Sequence, residues 1–186
     1  MAVKTMAKNT GTGQYNAGWH ELTVSKAVDG KWGDKRTIDL NFEGYPDNMR
    51  HRVFEASNKT TGEEFKIANL FRFACAGIIS VLNDPTGKNP VIQYDDEVTN
   101  LVGTRVNVLF VKEASTTDGK EYSRTFDLVP VAQETEHITW TDDDVARLKK
   151  GVEKQYTKKT STTTNGVGTV NLDTTTTVTG DAEIPF

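Results

Sequence analysis

The stretch EEFKIANLFRFACAGIISVLN, residues 63–83, carries a helical pattern in a part of the chain otherwise patterned as strands. Its apolar residues recur every three or four positions, the spacing that buries one face of an α-helix. The tripeptide Asn83-Asp84-Pro85 then ends the run, since proline cannot continue a helix. Which strands precede and follow this predicted helix decides the fold.

Five predicted strands flank the helix, three before it (residues 20–24, 37–42 and 50–57) and two after it (residues 102–115 and 121–131). In TIDLNF, residues 37–42, apolar Ile38, Leu40 and Phe42 alternate with polar residues, which is typical of a half-buried strand. Turn-forming segments separate the strands: DGKWGDK, GYPDN, NKTTG and TDGK. A further helix is predicted from Thr141, a good N-cap followed by three aspartates.

This order predicts a mainly β protein: a five-stranded antiparallel barrel of the oligonucleotide-binding (OB) type, with a helix between strands 3 and 4 and a C-terminal helix. A two-layer α+β domain would give a similar pattern. The expected domains are a flexible N-terminal arm (1–18), the barrel (19–132), the C-terminal helix packed on it (133–156) and a disordered Thr-rich linker with an acidic tip (157–186). Eleven of the last thirty residues are Thr. Large apolar side chains are so few there that their burial could not offset the loss of chain entropy on folding.

The composition narrows the class of protein. The chain has 186 residues, a net charge of −4 and 35% hydrophobic residues. It contains neither an apolar run of membrane-spanning length nor a signal-peptide pattern, so we expect no membrane association. A single cysteine, Cys75, excludes an intrachain disulfide and a multi-cysteine zinc site.

No catalytic constellation is evident. The acidic run 94–97 (YDDE) lacks a companion carboxylate motif, and the aspartates 142–144 are better explained as charges at a helix N-terminus. The three histidines have no metal-ligand spacing, and the Gly87-Lys88 pair lacks the rest of a phosphate-binding loop. We therefore expect a protein that is not an enzyme and that uses no metal and no cofactor.

Cations interleaved with aromatic residues on several predicted strands favour binding of single-stranded DNA. Such binding needs positive charges for phosphates and exposed rings on which bases stack. If Val53 faces the core, then Arg50, Arg52 and Phe54 share the outer face of the third strand. The candidate DNA-binding residues are Lys31, Trp32, Lys35, Arg36, Tyr45, Arg50, Arg52, Phe54, Arg105, Lys112, Tyr122 and Arg124.

The charge balance limits this prediction. Residues 19–131 contain 14 Lys and Arg against 17 Asp and Glu, so the expected barrel is not basic overall. DNA binding would depend on a local stripe of positive charge, with the acidic residues segregated elsewhere. We therefore expect moderate affinity that falls strongly with salt.

The last seven residues, GDAEIPF (180–186), form the most specific motif of the chain. An apolar terminus behind a long polar linker adds nothing to a core, but Phe186 could enter a partner's apolar pocket while its carboxylate pairs with a cation. Proline before it lowers the ordering entropy of the motif. The residues expected to bind a partner are Asp181, Glu183, Ile184, Pro185 and Phe186.

This acidic Ile-Pro-Phe tip resembles that of bacterial single-stranded DNA-binding proteins, and together with the OB-like body the chain looks like a phage-encoded member of that class. The resemblance implies that the tail recruits replication and repair proteins such as a polymerase, helicase or primase, and competes with DNA for the groove. It implies the cytoplasm of an infected bacterial host as the location. The tip has only two acids, Asp181 and Glu183, and the body does not follow the bacterial sequence. Weak competition and a monomer or homodimer are therefore expected.

Two other functions remain open from the sequence. A strand-annealing protein would carry the same features as a single-strand binder. A small β-barrel interaction or structural module without nucleic acid would fit the acidic net charge, although it leaves the Ile-Pro-Phe terminus and the paired cations and rings unexplained.

Overall fold

The computed structural model describes residues 15–83, 90–115, 117 and 119–164. In these ranges the protein is mainly β, with nine strands, two α-helices and one 3₁₀ turn at Val98–Leu101. The strands are β1 (Gly18–Trp32), β2 (Lys35–Phe42), β3 (His51–Phe54), β4 (Ile78–Asn83), β5 (Pro90–Tyr94), β6 (Arg105–Ala114), β7 (Glu121–Pro130), β8 (Gln133–Glu134) and β9 (Thr139–Trp140). The helices are α1 (Lys66–Ala74) and α2 (Asp142–Thr164).

One antiparallel sheet of five strands, in the order β3-β2-β1-β6-β7, forms the body of the protein. β1 is 15 residues long and pairs with β6 over its first half and with β2 over its second half. A bulge between Val24 and Lys26 separates the halves and bends the strand from one partner to the other. The predicted turn 29–35 is corrected, because β1 continues to Trp32 and only Gly33 and Asp34 connect it to β2.

The sheet is not a closed barrel in the part of the chain that the structure describes. β3 and β7 are its two edges, and no ladder joins them. The two edges approach each other at the start of β3, where Thr125 Oγ1 donates to the carbonyl oxygen of Arg50 at 3.1 Å. Since β3 has only four residues, it offers few backbone groups with which a ladder could continue.

The predicted helix over residues 63–83 is correct only in its first half. α1 begins under a side-chain cap, because the Glu64 carboxylate accepts from the amides of Ile67 (2.7 Å) and Ala68 (3.0 Å). It ends where Cys75 adopts a left-handed backbone with φ of 51°. The apolar residues that follow form β4, which pairs with β5 in a separate two-stranded hairpin that the sequence analysis did not predict.

The core lies between the inner side of the sheet and α1. Alternation along β2 buries Ile38 and Leu40 completely, and α1 contributes Leu70 and Phe71 to the same cluster. Burying an aliphatic or aromatic side chain stabilises the fold by roughly 1.5–3 kcal/mol, so this cluster fixes which face of each strand remains outside. The alternation predicted for β2 is confirmed.

α2 covers the outer side of β6 and β7 and the start of β1. Val152 is buried against Leu109, Val111 and Val129, and Tyr156 packs edge-on against Phe126, with ring centroids 5.1 Å apart. The predicted N-cap is confirmed, because Thr141 Oγ1 accepts from the amide of Asp144 at 3.2 Å. The boundary expected after residue 156 falls inside this helix, which continues to Thr164.

The N-terminal boundary also differs from the expectation. Tyr15 is already packed against the core cluster, and its amide donates to Ser123 Oγ at 2.9 Å. The packed core therefore includes at least one residue before Trp19. Neither helix in the described ranges is long and apolar enough to cross a membrane.

Candidate nucleic-acid interface

The outer side of β3, β2 and the second half of β1 carries aromatic and cationic side chains, and we call this surface the open face. The register sets its composition: Trp32 pairs with Lys35, Phe54 with Thr37, and Arg52 with Asp39. Because strand residues alternate between faces, the partners of each pair lie on the same side of the sheet. The residues of the open face are Lys26, Val28, Trp32, Lys35, Asp39, Arg50, Arg52 and Phe54.

Two rings on the open face are accessible. Trp32 is 65% exposed at the end of β1, and Phe54 is 42% exposed at the end of β3. The Arg52 guanidinium carbon lies 5.9 Å from the centre of the Trp32 ring, a cation–π contact that holds the two side chains together. A large exposed indole beside a cation is the combination that stacks on a base while contacting its phosphate.

The charges of the open face are organised around one carboxylate. Arg52 donates to both Asp39 oxygens (2.6 and 2.7 Å), and Arg50 lies 3.3 Å from the same group. The hydrogen bond from Arg52 lowers the pKa of Asp39, so this carboxylate stays ionised at neutral pH. Four cations therefore share the face with a single anion, and the surface remains positive although the chain as a whole is negative.

Asp39 fixes the direction of the arginines. A bidentate pair restricts the guanidinium to one plane, and here that plane is presented beside the exposed Trp32 ring. An arginine held in this way keeps further N–H groups for a phosphate, because a guanidinium has five donors and the carboxylate uses two. The arrangement suits a polyanion whose bases have π-faces.

Arg36 and Lys31, both predicted to bind DNA, lie on the other side of the first hairpin. They pair with each other in the register, opposite in direction to Trp32 and Lys35. Arg36 is already engaged: it donates to both oxygens of Asp29, and it forms a further ion pair with Asp96. The hydrogen bond to Asp29 raises the pKa of Arg36, and the two ion pairs hold this arginine in place as a structural cation.

Tyr45 does not extend the open face. Its ring lies 4.9 Å from that of Tyr15 and 5.3 Å from that of Phe110, centroid to centroid, in an aromatic cluster against the core. Burial raises the pKa of its hydroxyl, as does the neighbouring Tyr15. The structure assigns this ring to packing.

The remaining predicted residues lie on β6 and β7. Arg105 forms an ion pair with Glu21 on β1 at 2.7 Å, and Arg124 forms one with Glu113. Tyr122 pairs in register with Glu113 and is 49% exposed. Lys112 pairs with Ser123, so it lies on the opposite side of the sheet from Tyr122 and Arg124. The twelve candidates are therefore not gathered on one surface; the open face holds Trp32, Lys35, Arg50, Arg52 and Phe54.

Three residues of the open face were missed: Asp39, which holds the arginines, and two on β1. Lys26 and Val28, the latter 41% exposed, extend the surface along β1 towards the bulge. They lie between the predicted first strand, which ended at Val24, and the expected turn at residues 29–35. Continued period-2 alternation from Lys26 through Val28 to Trp32 was the signal that could have revealed them.

Within the described ranges, no group of three or more His, Cys, Asp or Glu side chains is placed to hold a metal ion. The tail residues Asp181 to Phe186 lie outside the described residues. Comparison with protein-family models finds none that matches the chain, and comparison with curated proteins finds no significant match.

Proposed function

We propose that the protein is a non-catalytic, sequence-independent single-stranded DNA-binding protein of phage replication and recombination. The observation that carries the proposal is the open face, where an exposed indole, an exposed phenyl ring and fixed arginines lie on three adjacent strands. Phosphates would contact Arg50, Arg52 and Lys35, and bases would stack on Trp32 and Phe54. No base-specific contact is required.

The topology supports an OB-type assignment. In OB folds a five-stranded, partly open Greek-key barrel binds oligonucleotides on the face of strands 2 and 3. Here the open face lies on the second and third strands of the chain, and β1 is central between β2 and β6. The approach of Thr125 to Arg50 brings the two sheet edges together as partial closure would.

The C-terminal tip completes the proposal. Asp181, Glu183, Ile184, Pro185 and Phe186 would recruit a polymerase, helicase or primase to coated DNA in the cytoplasm of the infected host, with the protein acting as a monomer or homodimer. The support is the resemblance of this tip to that of bacterial single-stranded DNA-binding proteins. A chain lacking Phe186 should keep its DNA affinity and lose partner binding.

The decisive experiment measures anisotropy of a fluorescent oligo(dT) and of a matched duplex across a salt series. The variant Trp32→Ala/Phe54→Ala should weaken oligo(dT) binding by about tenfold or more, because each base stacked on an aromatic ring contributes about 1–3 kcal/mol. Tyr122→Ala is the matched control, since it removes a ring of similar exposure from β7. Its oligo(dT) affinity should change by less than about twofold if stacking occurs on the open face.

Two results would contradict the proposal. Absence of oligo(dT) binding by the intact chain at low salt would remove nucleic acid as the ligand. Equal affinities of the double variant and the Tyr122→Ala control would remove the open face as the site.

A second candidate, an interaction module, is favoured by the β4–β5 hairpin. It pairs with no strand of the main sheet, and four of its apolar side chains are at least one-third exposed: Ile79, Val81, Leu82 and Val91. Exposed apolar clusters of this kind mark contact surfaces. If DNA binding fails, Leu82→Ser/Val91→Ser in a sedimentation experiment tests this candidate, because loss of self-association would place the contact on the hairpin.

A further inference from the structure

The C-terminal helix carries a concentration of positive charge that the open face does not use. Between Ala146 and Thr160 there are six Lys and Arg residues and one acid, Glu153, in a chain of net charge −4. The segment is helical throughout and lies on the side of the molecule formed by β6 and β7. We call the exposed row Arg147, Lys150, Lys154 and Lys158 the α2 stripe.

Helical spacing places the α2 stripe on one side. Steps of three, four and four residues return to the same face, and α2 buries Val145 and Val152 on the opposite one. All four cations of the stripe are exposed. With a rise of 1.5 Å per residue, the row is about 16 Å long.

The other charges of the segment are turned towards the protein. Glu153 accepts a hydrogen bond from the Trp19 indole N–H at 2.7 Å. Lys149 lies over the Trp19 ring (5.4 Å) and Lys159 over the Phe126 ring (5.5 Å). The Trp19 contact holds Glu153, which is itself exposed and lies beside Lys150, Lys154 and Lys158. Arg147, at the start of the stripe, forms an ion pair with Asp144 at 3.0 Å, so the three lysines carry most of the available charge.

Lysines four residues apart repel each other on a helix, which disfavours α2 slightly for each such pair. The packing of Val152 and Tyr156 offsets this repulsion in the free protein. A polyanion laid along the helix would relieve it, and a duplex offers one charge per about 1.7 Å of its axis. The stripe has no exposed ring, so it has nothing on which a base could stack.

We propose that the α2 stripe is a second nucleic-acid site, which binds the phosphate backbone alone and therefore takes duplex and single strands alike. This site goes beyond the proposed function and does not depend on it. The open face would favour single strands because bases stack on its rings, whereas the stripe would bind any phosphate backbone through charge alone. A protein with both sites would hold a single strand on one side and a neighbouring duplex or second strand on the other.

The test uses a blunt hairpin duplex and oligo(dT) with the full-length chain, measured by anisotropy across a salt series. In Lys150→Gln/Lys154→Gln/Lys158→Gln, duplex affinity at low salt should fall at least about tenfold, and the slope of log K against log salt should fall by about 2–3, since each phosphate contact contributes about 0.9. Gln and Lys have similar helix propensity, so α2 should remain folded.

Three arms make the result specific. Lys150→Arg/Lys154→Arg/Lys158→Arg keeps the charge and should bind duplex like the natural chain. Lys59→Gln removes a single positive charge from an exposed loop away from the stripe, and it should change affinity less than about twofold. Trp32→Ala/Phe54→Ala should weaken oligo(dT) binding to the level that the stripe alone provides, while duplex affinity is unchanged. Failure of the open face and failure of the stripe therefore give different patterns.

Two outcomes overturn the proposal. The first is absence of duplex binding by the natural chain at low salt. The second is equal duplex affinity of the Lys→Gln variant and the natural chain. The proposal would then be wrong even if the stripe bound an acidic peptide, such as the chain's own C-terminal residues.

Discussion

Each of the two tryptophans of β1 has a cation beside its ring, but one ring is covered by a helix and the other is exposed to solvent. Trp19, in the first half of the strand, is half-buried beneath α2, with Lys149 over its ring and its indole N–H bonded to Glu153. Trp32, at the other end of the same strand, is 65% exposed with Arg52 beside its ring. Each is an indole with a cation on the outer side of the sheet. Only one of the two is covered.

The difference teaches that a cation next to an aromatic residue has no function by itself. Under a helix, the pair contributes packing and a cation–π contact to stability. On an uncovered sheet it leaves a large apolar surface in water, a state that binding would relieve. The presence of α2 on one half of β1 and its absence from the other decides which role each tryptophan has.

The largest expected effect is a pH dependence of stability that distinguishes β3, on the uncovered side of the sheet, from β7, which lies beneath α2. His51 is buried on the inner side of β3, near Lys66, Asp127 and Asp39, and burial lowers its pKa to about 4. An unfolded histidine titrates near 6.5, so between pH 7 and pH 4 the unfolded state takes up a proton that the folded state does not. The free energy of unfolding should fall by up to about 3 kcal/mol, as urea titrations at pH 7 and pH 4 would measure.

The replacement His51→Gln should flatten this dependence, because it removes the titrating group. Asp39, whose pKa is lowered from 3.8, loses its contribution only at more acidic pH and does not obscure the result. Hydrogen exchange at pH 4.5 should increase in β3 before it increases in β7 beneath α2. The same exchange rates in both strands would show that the two sides do not unfold separately.

The next effect compares the tryptophans directly. Trp19→Ala removes a packed ring and the partner of Glu153, and should lower the free energy of unfolding by about 2 kcal/mol with little change in oligo(dT) affinity. Trp32→Ala should do the reverse, changing stability by less than about 0.5 kcal/mol while weakening oligo(dT) binding. Urea unfolding and anisotropy on both variants measure this. A large stability loss in Trp32→Ala would break the comparison.

The smallest effect concerns charge on the open face. Arg50→Gln removes one phosphate contact and leaves the Arg52–Asp39 pair in place. The slope of log K against log salt for oligo(dT) should fall by about 0.7, the value for one contact to a single strand. Arg105→Gln, which loses an ion pair with Glu21 on another part of the sheet, is the matched control. An equal change in both would indicate a diffuse field in place of local contacts.

The strands of the main sheet follow from local pattern, and the boundaries of the site do not. Alternation in residues 37–42 predicts β2 correctly because burial of Ile38 and Leu40 is what holds that strand in register. The cap at Thr141 is equally local. By contrast, the roles of Trp19 and Arg36 depend on α2 and on Asp96, residues distant in sequence that only the folded chain brings near.

The error over residues 75–83 has a physical cause. Short apolar runs fit a buried helix and a strand alike, and here Ile78, Ile79 and Val81 are β-branched, which favours a strand. Only glycine fits at position 77, because a β-carbon there would lie 2.3 Å from the Asp95 carbonyl oxygen. The close approach of those two backbones starts the β4–β5 hairpin and cannot be deduced from residue spacing.

The ion pairs of Arg36 with Asp29 and Asp96 also affect the entropy that is lost on binding. They tie the first hairpin to the segment after β5, so the end of β1 that carries Trp32 is braced from its inner side. A hairpin backbone held in this way is ordered before any ligand arrives, so binding costs less free energy in ordering it. The rigidity of the hairpin is thus a form of preorganisation, supplied by residues that never need to touch a ligand.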